Sequence, residues 1–554
     1  MLYSCGSAGE NDLNDVSSSD VTGDTTAPAA INDLAASNPT LNSIELSWTA
    51  PGDDGDTGTA VSYDIRYSTS TISDANWSAA TRVTGEPTPE AAGTTQSMTV
   101  TGLVPETTYY VAVKTADEVP NTSNQSNVVA AITDASTFEY IMGTDDYGQP
   151  TVSQPAQWET YTDPVTGLTI RRITDAEKDV PGASSACVHY VRVSPVSSNG
   201  RHLLMEIKGT KGNPYYIMDL QTRKVRVAPH ATGKPYANNG GIDAQPEYRW
   251  DYSGNYPTRI YYRDGLKFYQ ADINYPDGQP DDPKYNVLLH DFSDEYPDAQ
   301  VAYNDDEGDS SADSSYWAFI IRNGAPDYDI AAIITYDKKT DTILGTLNSP
   351  PKPNFVDVSP SGSKVVLSSY WHSGGEGSNF DGPHAWDLDF TNPVKVAAGS
   401  AHSGWAWDKS GNEGFLQINN AGTGDWLRFS NILSEDYFKV YYQGDLGWAG
   451  HHFSRVYQPY QKGWIFLDIY TNSGWAADQI LAIEAIPASQ NPSVWRIAYT
   501  QNLRGESGKD YLGEQMVSMS YDGTKMYYCS NWRGADNNEI YEVALPPNWW
   551  LDLQ

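Results

Sequence analysis

Helical periodicity, cysteine, histidine and positive charge are all scarce in this chain of 554 residues. No stretch repeats apolar residues at helical spacing over many turns, and no apolar run is long enough to span a bilayer as a helix. The three cysteines, Cys5, Cys187 and Cys529, are too few for a disulfide scaffold, and the sequence leaves open whether the last two pair. HExxH, paired CxxC, Walker and G-x-S-x-G motifs are absent, which argues against zincin, redox-thiol, nucleotide and serine-elbow chemistry. Only 35 basic residues stand against 71 acidic ones, giving a net charge of −36. A field of that sign repels nucleic acid and anionic membrane, so neither is expected as a partner.

What the chain has instead is aromatic residues and turn formers. The 38 Tyr and 17 Trp supply buried area that a modest apolar content would not, and 46 Gly with 33 Pro suit many short turns. The expectation is an all-β protein of at least two domains.

Residues 1–25 are small, polar and acidic and read as a disordered tether. The start Leu2-Tyr3-Ser4-Cys5-Gly6 resembles the end of a bacterial lipoprotein signal, which makes Cys5 a candidate lipid anchor. The location expected from this is secreted or cell-surface. Residues 26–135 resemble a fibronectin type III domain: Ile44-Glu45-Leu46-Ser47-Trp48 alternates as a core strand, SYDIRY (62–67) follows, and Leu103–Tyr109 matches the tyrosine-corner segment. A linker is expected at 136–157.

From 158 to 554 a strand–turn–strand unit recurs, its turns marked by Gly200, Gly254, Gly308, Gly362, Gly411, Gly463 and Gly523. The spacings run 54, 54, 54, 49, 52 and 60 residues. Seven antiparallel units of that length predict a seven-bladed β-propeller, because one unit cannot cover both faces of its own sheet. The segment 167–175, GLTIRRITD, lies before the first unit and is expected to supply an outer strand to the last.

Of nine histidines, four stand where an inner strand begins: His189, His402, His451 and His452. Tyr190, Tyr248, Arg249, Arg455 and Gln515 occupy comparable positions, so the fold can gather them at one end of the sheets. Imidazole, guanidinium and phenol together can hold an anion or move protons. Hydrogen bonding between blades is an equally open role for these histidines. His202 reads as structural, His230 and His290 as solvated loop residues, and His384 as support for a turn. Trp371, Trp448 and Trp475 are candidate platforms for sugar rings.

The units VSPSGSKVVL and MSYDGTKMYYCSNW resemble TolB-type propeller repeats. With YTDPVTGLTIRRIT, AHSGWAWDKSGNE and GHHFSRVYQPYQKGWIFLDIYT, the pattern resembles the oligogalacturonate and ulvan lyase groups. That resemblance implies β-elimination on a uronate-containing glycan. His189, His402 or His452 would then be the base, Tyr190 or Tyr248 the acid, and Arg249, Arg455 or a metal the group that neutralises the carboxylate. The closely spaced Gln and two-His ligand run of oligogalacturonate lyases is missing. His402, His451 and Gln515 are the substitutes for a divalent ion (calcium, manganese or zinc) if the fold gathers them. Two other classes stay open: a non-catalytic glycan- or protein-binding propeller, and a glycoside hydrolase using Glu247 and Glu514. An acidic polysaccharide is the expected partner, and a monomer the expected state.

Overall fold

Ile44, Leu46 and Trp48 alternate along the strand Ser43–Thr49, and all three are buried while their neighbours are not. That period of two needs an apolar surface opposite, and the chain supplies it from a second sheet. A computed structural model describes residues 24–553, leaving out 41–42, 104–106, 120, 135–137, 189–192, 211–213, 231–246, 305–307, 324–328, 349–352, 354, 368–381, 397–402, 419–425, 447–451, 470–473, 503–514 and 534–536. It divides into two units, Met1–Phe138 and Glu139–Gln554.

In the first unit a three-stranded sheet (Ala35–Ser37, Ser43–Thr49, Thr95–Thr101) and a four-stranded one (Thr81–Arg82, Ser62–Ser68, Thr108–Ala116, Val129–Ile132) share one core. Trp48 meets Tyr63 edge to face at 5.2 Å, and the Tyr63 hydroxyl donates to Gln96 Oε1 at 2.6 Å. Tyr109, expected at the tyrosine corner, is buried.

The second unit is a propeller-like succession of seven antiparallel sheets. Five four-stranded sheets span 185–227, 249–291, 299–348, 356–395 and 403–442. The sixth contains Trp464–Ile469, Gln479–Glu484 and Val494–Tyr499, with Phe453 bridged to Leu467 on its inner side. In the seventh, Ser518–Met519, Lys525–Ser530 and Glu539–Ala544 are followed by Thr169–Arg172 and Thr160–Thr162. The 167–175 segment thus joins the last sheet, with Tyr541 opposite Arg172 and Val543 opposite Ile170.

Six of the seven expected turn glycines have positive φ, Gly463 at 95° among them, as tight hairpins require. Gly308 is the exception. It sits where an added Cβ would lie 2.1 Å from Val356 O, and the third hairpin turns instead through Ser314, at φ 57°. The acidic, Ser-rich stretch displaced the turn by six residues.

Apolar clusters lie between successive sheets. One joins Leu416 and Phe429 to Ile465 and Leu481, and another joins Leu203 and Met205 of the first sheet to Tyr527 and Ile540 of the seventh. Cys187 and Cys529 form a disulfide across that last contact, with Cα atoms 5.3 Å apart. Buried polar groups tie the inner strands together. Arg455 donates to Asp357 Oδ1 at 2.8 Å and to the carbonyls of Ser310 and Val358 at 2.8 and 2.6 Å. The Tyr457 hydroxyl donates to Asp309 Oδ2 and accepts the Ser194 N–H.

The expected linker is a correction: from Glu139 onward the chain belongs to the second unit. Gly143 N donates to Val494 O and Arg496 N to Ile141 O, which adds an edge contact to the sixth sheet. Gln154 then donates to the Tyr541 hydroxyl on the seventh, and Trp532 Nε1 to Val152 O. Polar composition suggested a spacer; unpaired backbone at a sheet edge recruited it instead.

Candidate functional site

His452 begins the inner side of the sixth sheet, and its position follows from two backbone facts. Its carbonyl accepts the Asp468 N–H at 3.1 Å, and one residue on, Phe453 bridges to Leu467. This register brings the Asp468 carboxylate back onto His452. Asp468 Oδ1 accepts the His452 backbone N–H at 2.7 Å and lies 3.1 Å from Nδ1, while Oδ2 lies 3.2 Å from that nitrogen. Both residues are fully buried. A carboxylate on Nδ1 holds the imidazole in one tautomer, with Nε2 as its basic nitrogen.

The next sheet adjoins this pair directly, since Val517 N donates to Asp468 Oδ2 at 3.3 Å. Two residues earlier, Gln515 is fully buried and donates through Nε2 to Asp478 Oδ1 at 3.2 Å. Asp478 stands just before Gln479–Glu484, whose first residue pairs with Ile469, so it occupies the same end of the sheet as Asp468. Burial pushes its carboxyl up to about 7, against an opposing pull from the Arg533 guanidinium. Thr500 donates N–H and hydroxyl to Asp478 O, and Arg533 donates Nε to Gln501 Oε1 at 3.0 Å.

The backbone here is strained as well as polar. Asp478, Gln501, Met516, Trp532 and Arg533 are five of the 14 non-glycine residues with positive φ among those described. Such conformations cost free energy and concentrate at binding and catalytic sites.

The sequence-predicted residues divide three ways. His189, Tyr190, His402, His451, Trp371, Trp448 and Glu514 lie outside the described residues. His452 and Gln515 come together through Asp468 and Val517, as above. Tyr248, Arg249 and Arg455, expected as reactive groups, are fully buried and hydrogen-bonded within the fold. Tyr248 is buried among Tyr215 and Tyr262 and donates its hydroxyl to Pro229 O at 2.5 Å. Arg249 is fully buried and donates to the carbonyls of Gly308 and Tyr248, both at 2.9 Å. Arg455 serves the inter-sheet ties described above. Their guanidiniums hold backbone carbonyls of other sheets, Arg249 that of Gly308 and Arg455 those of Ser310 and Val358. Glu247 is likewise buried and paired with Arg263 at 3.2 Å.

Trp475 is half-buried and its indole N–H donates to Asp445 O at 2.6 Å, with Arg496 5.7 Å from the ring. His202 is buried and stacks on Trp250, and burial lowers its pKa. His290, expected in a loop, stands on the strand Asn286–Asp291 with Nδ1 2.7 Å from Asp341. Sequence reasoning missed Asp478, Gln501 and Arg533. A usable signal existed for the first: a lone acid in NSGWAADQ, directly before the apolar strand QILAIE. Among the described residues, no three His, Cys, Asp or Glu side chains gather as a metal site.

A fibronectin type III domain model matches residues 27–131, and the chain carries that domain. Chitinase A1 of Niallia circulans is 38% identical over 116 residues, which is 21% of this chain and 13% of that protein's length. A structure of oligogalacturonate lyase from Vibrio parahaemolyticus aligns over 70% of this chain and 96% of its own, at 11% identity and a TM-score of 0.47. Hydrazine synthase of Kuenenia stuttgartiensis aligns over 66% and 97%, at 14% identity and a TM-score of 0.36.

Proposed function

We propose that the protein is an extracellular, carbohydrate-associated protein whose second unit closes as a seven-bladed propeller and cleaves a uronate-containing polysaccharide by β-elimination. The observation that carries the reading is the His452–Asp468 pair at the junction of the sixth and seventh sheets. Two further supports accompany it. The repeat units resemble those of polysaccharide lyases, and the first unit is similar to part of a protein named as a chitinase.

β-Elimination needs a base for the proton α to the carboxylate, an acid for the leaving oxygen, and neutralisation of the carboxylate. His452, its tautomer fixed by Asp468, is the base in this reading. Arg249 and Arg455 are fully buried on carbonyl and carboxylate partners, whereas Arg533 is exposed and acts on Asp478, so it is the neutralising cation in this reading even though it also donates to Gln501 Oε1 and Pro150 O. A divalent ion on His402, His451 and Gln515 is the alternative neutraliser, since Gln515 Oε1 is the hard oxygen donor that calcium or manganese accepts.

The test is incubation with a panel of acidic polysaccharides, following unsaturated-uronate absorbance and reducing ends together. Growth of both supports the lyase. Reducing ends alone identify a hydrolase, and retained binding with neither product leaves a glycan-binding module.

A further inference from the structure

Two fully buried side-chain atoms where the sixth and seventh sheets meet have no hydrogen-bond partner among the described residues: the acceptor Gln515 Oε1 and the donor Gln501 Nε2. Their other ends are fixed, Gln515 Nε2 on Asp478 and Gln501 Oε1 on Arg533. Turning either amide would only exchange which of its two ends is left unpaired. Leaving a buried amide atom unpaired is costly, and proteins retain the cost where a ligand relieves it.

The donor set narrows that ligand. It must donate to Gln515 Oε1 and accept from Gln501 Nε2, beside a carboxyl that accepts at Asp478. A carboxylate or a phosphodiester has no proton to give the first, and an ammonium has no lone pair for the second. Hydroxyl groups do both, a sugar's or that of a water standing in for one.

We propose that Asp478, Gln501 and Gln515 form a saccharide-binding site in which sugar hydroxyls complete the two amides and Asp478 accepts a further one. Arg533 holds Gln501 in place and offers its charge to an acidic substituent of the sugar. This site rests on the carbohydrate reading above, but not on any bond being cleaved.

Calorimetric titration of the full chain with three trisaccharides tests it: a neutral hexose, an N-acetylated hexose and a hexuronate. The wild type binds at least one. Asp478→Asn and Gln501→Met each weaken that binding about tenfold or more, while melting temperature does not fall, because neither change strands a buried charge. Wild-type affinity in both variants overturns the site, as does failure of all three sugars to bind. Binding that a chelator abolishes and a divalent ion restores also overturns it, because an ion rather than a hydroxyl would then sit on Gln515. Binding without unsaturated product leaves this site standing and removes the lyase. Unsaturated product with unchanged Asp478→Asn affinity does the reverse.

Discussion

Arg455 and Asp357 lie 2.8 Å apart and 98 residues apart in sequence, and neither side chain is exposed at all. Asp357 also accepts the Trp405 indole N–H and the Asp309 backbone N–H, so one carboxylate serves the third, fourth, fifth and sixth sheets. The inner strands are therefore joined by charge as well as by apolar contact.

Removing one partner leaves the other charged and buried. Asp357→Ala is expected to lower unfolding free energy by about 3–5 kcal/mol. The double replacement Arg455→Met with Asp357→Leu is expected to recover part of that loss. Urea denaturation of the three proteins measures it, and a double variant no more stable than the single would show that the pair is not coupled.

Much of this was legible beforehand. Alternation at Ile44–Trp48 and six positive-φ glycines gave the strands and turns their places, because period and turn chemistry are local. The role of Arg455 was not, since its carbonyl and carboxylate partners lie 97 to 145 residues away and nothing in SRVYQPY indicates burial. Asp478 was missed for the opposite reason. Acidic turns abound in a chain with 71 acids, and the lone acid before QILAIE is a weak signal until its burial is seen. The strap from Tyr140 to Gln157 looked like a linker because edge pairing needs backbone, not a side-chain pattern.

Asp478 gives a pH dependence whose sign is fixed. Its carboxyl sits at about 7 in the folded protein against 3.8 ordinarily, so between those values the folded state holds a proton that the unfolded chain has released. The group's contribution is most favourable below pH 3.8 and is lost as pH rises through about 7. Asp478→Asn is therefore expected to raise the melting temperature at pH 8 and to leave it unchanged at pH 3. The gain is bounded by about 1.4 kcal/mol per pKa unit. An equal effect at both pH values would contradict the burial argument.

The Cys187–Cys529 disulfide spans 342 residues and fastens the first sheet to the last. Paired substitution by Ser is expected to cost about 2–5 kcal/mol, mostly by freeing the unfolded chain. Alkylation under non-reducing denaturing conditions should modify only Cys5, as read by mass. Modification of all three cysteines would show that the bond is not formed.

His452→Gln asks whether a base at the junction of the sixth and seventh sheets acts on uronate glycan. Gln can keep a hydrogen bond to Asp468 but cannot take the substrate proton. The measurement is the initial rate of unsaturated-uronate release on a substrate that the wild type cleaves, with melting temperature and trisaccharide affinity followed alongside. The rate is expected to fall about a hundredfold or more with affinity retained. A variant that folds, binds and turns over like the wild type would contradict it.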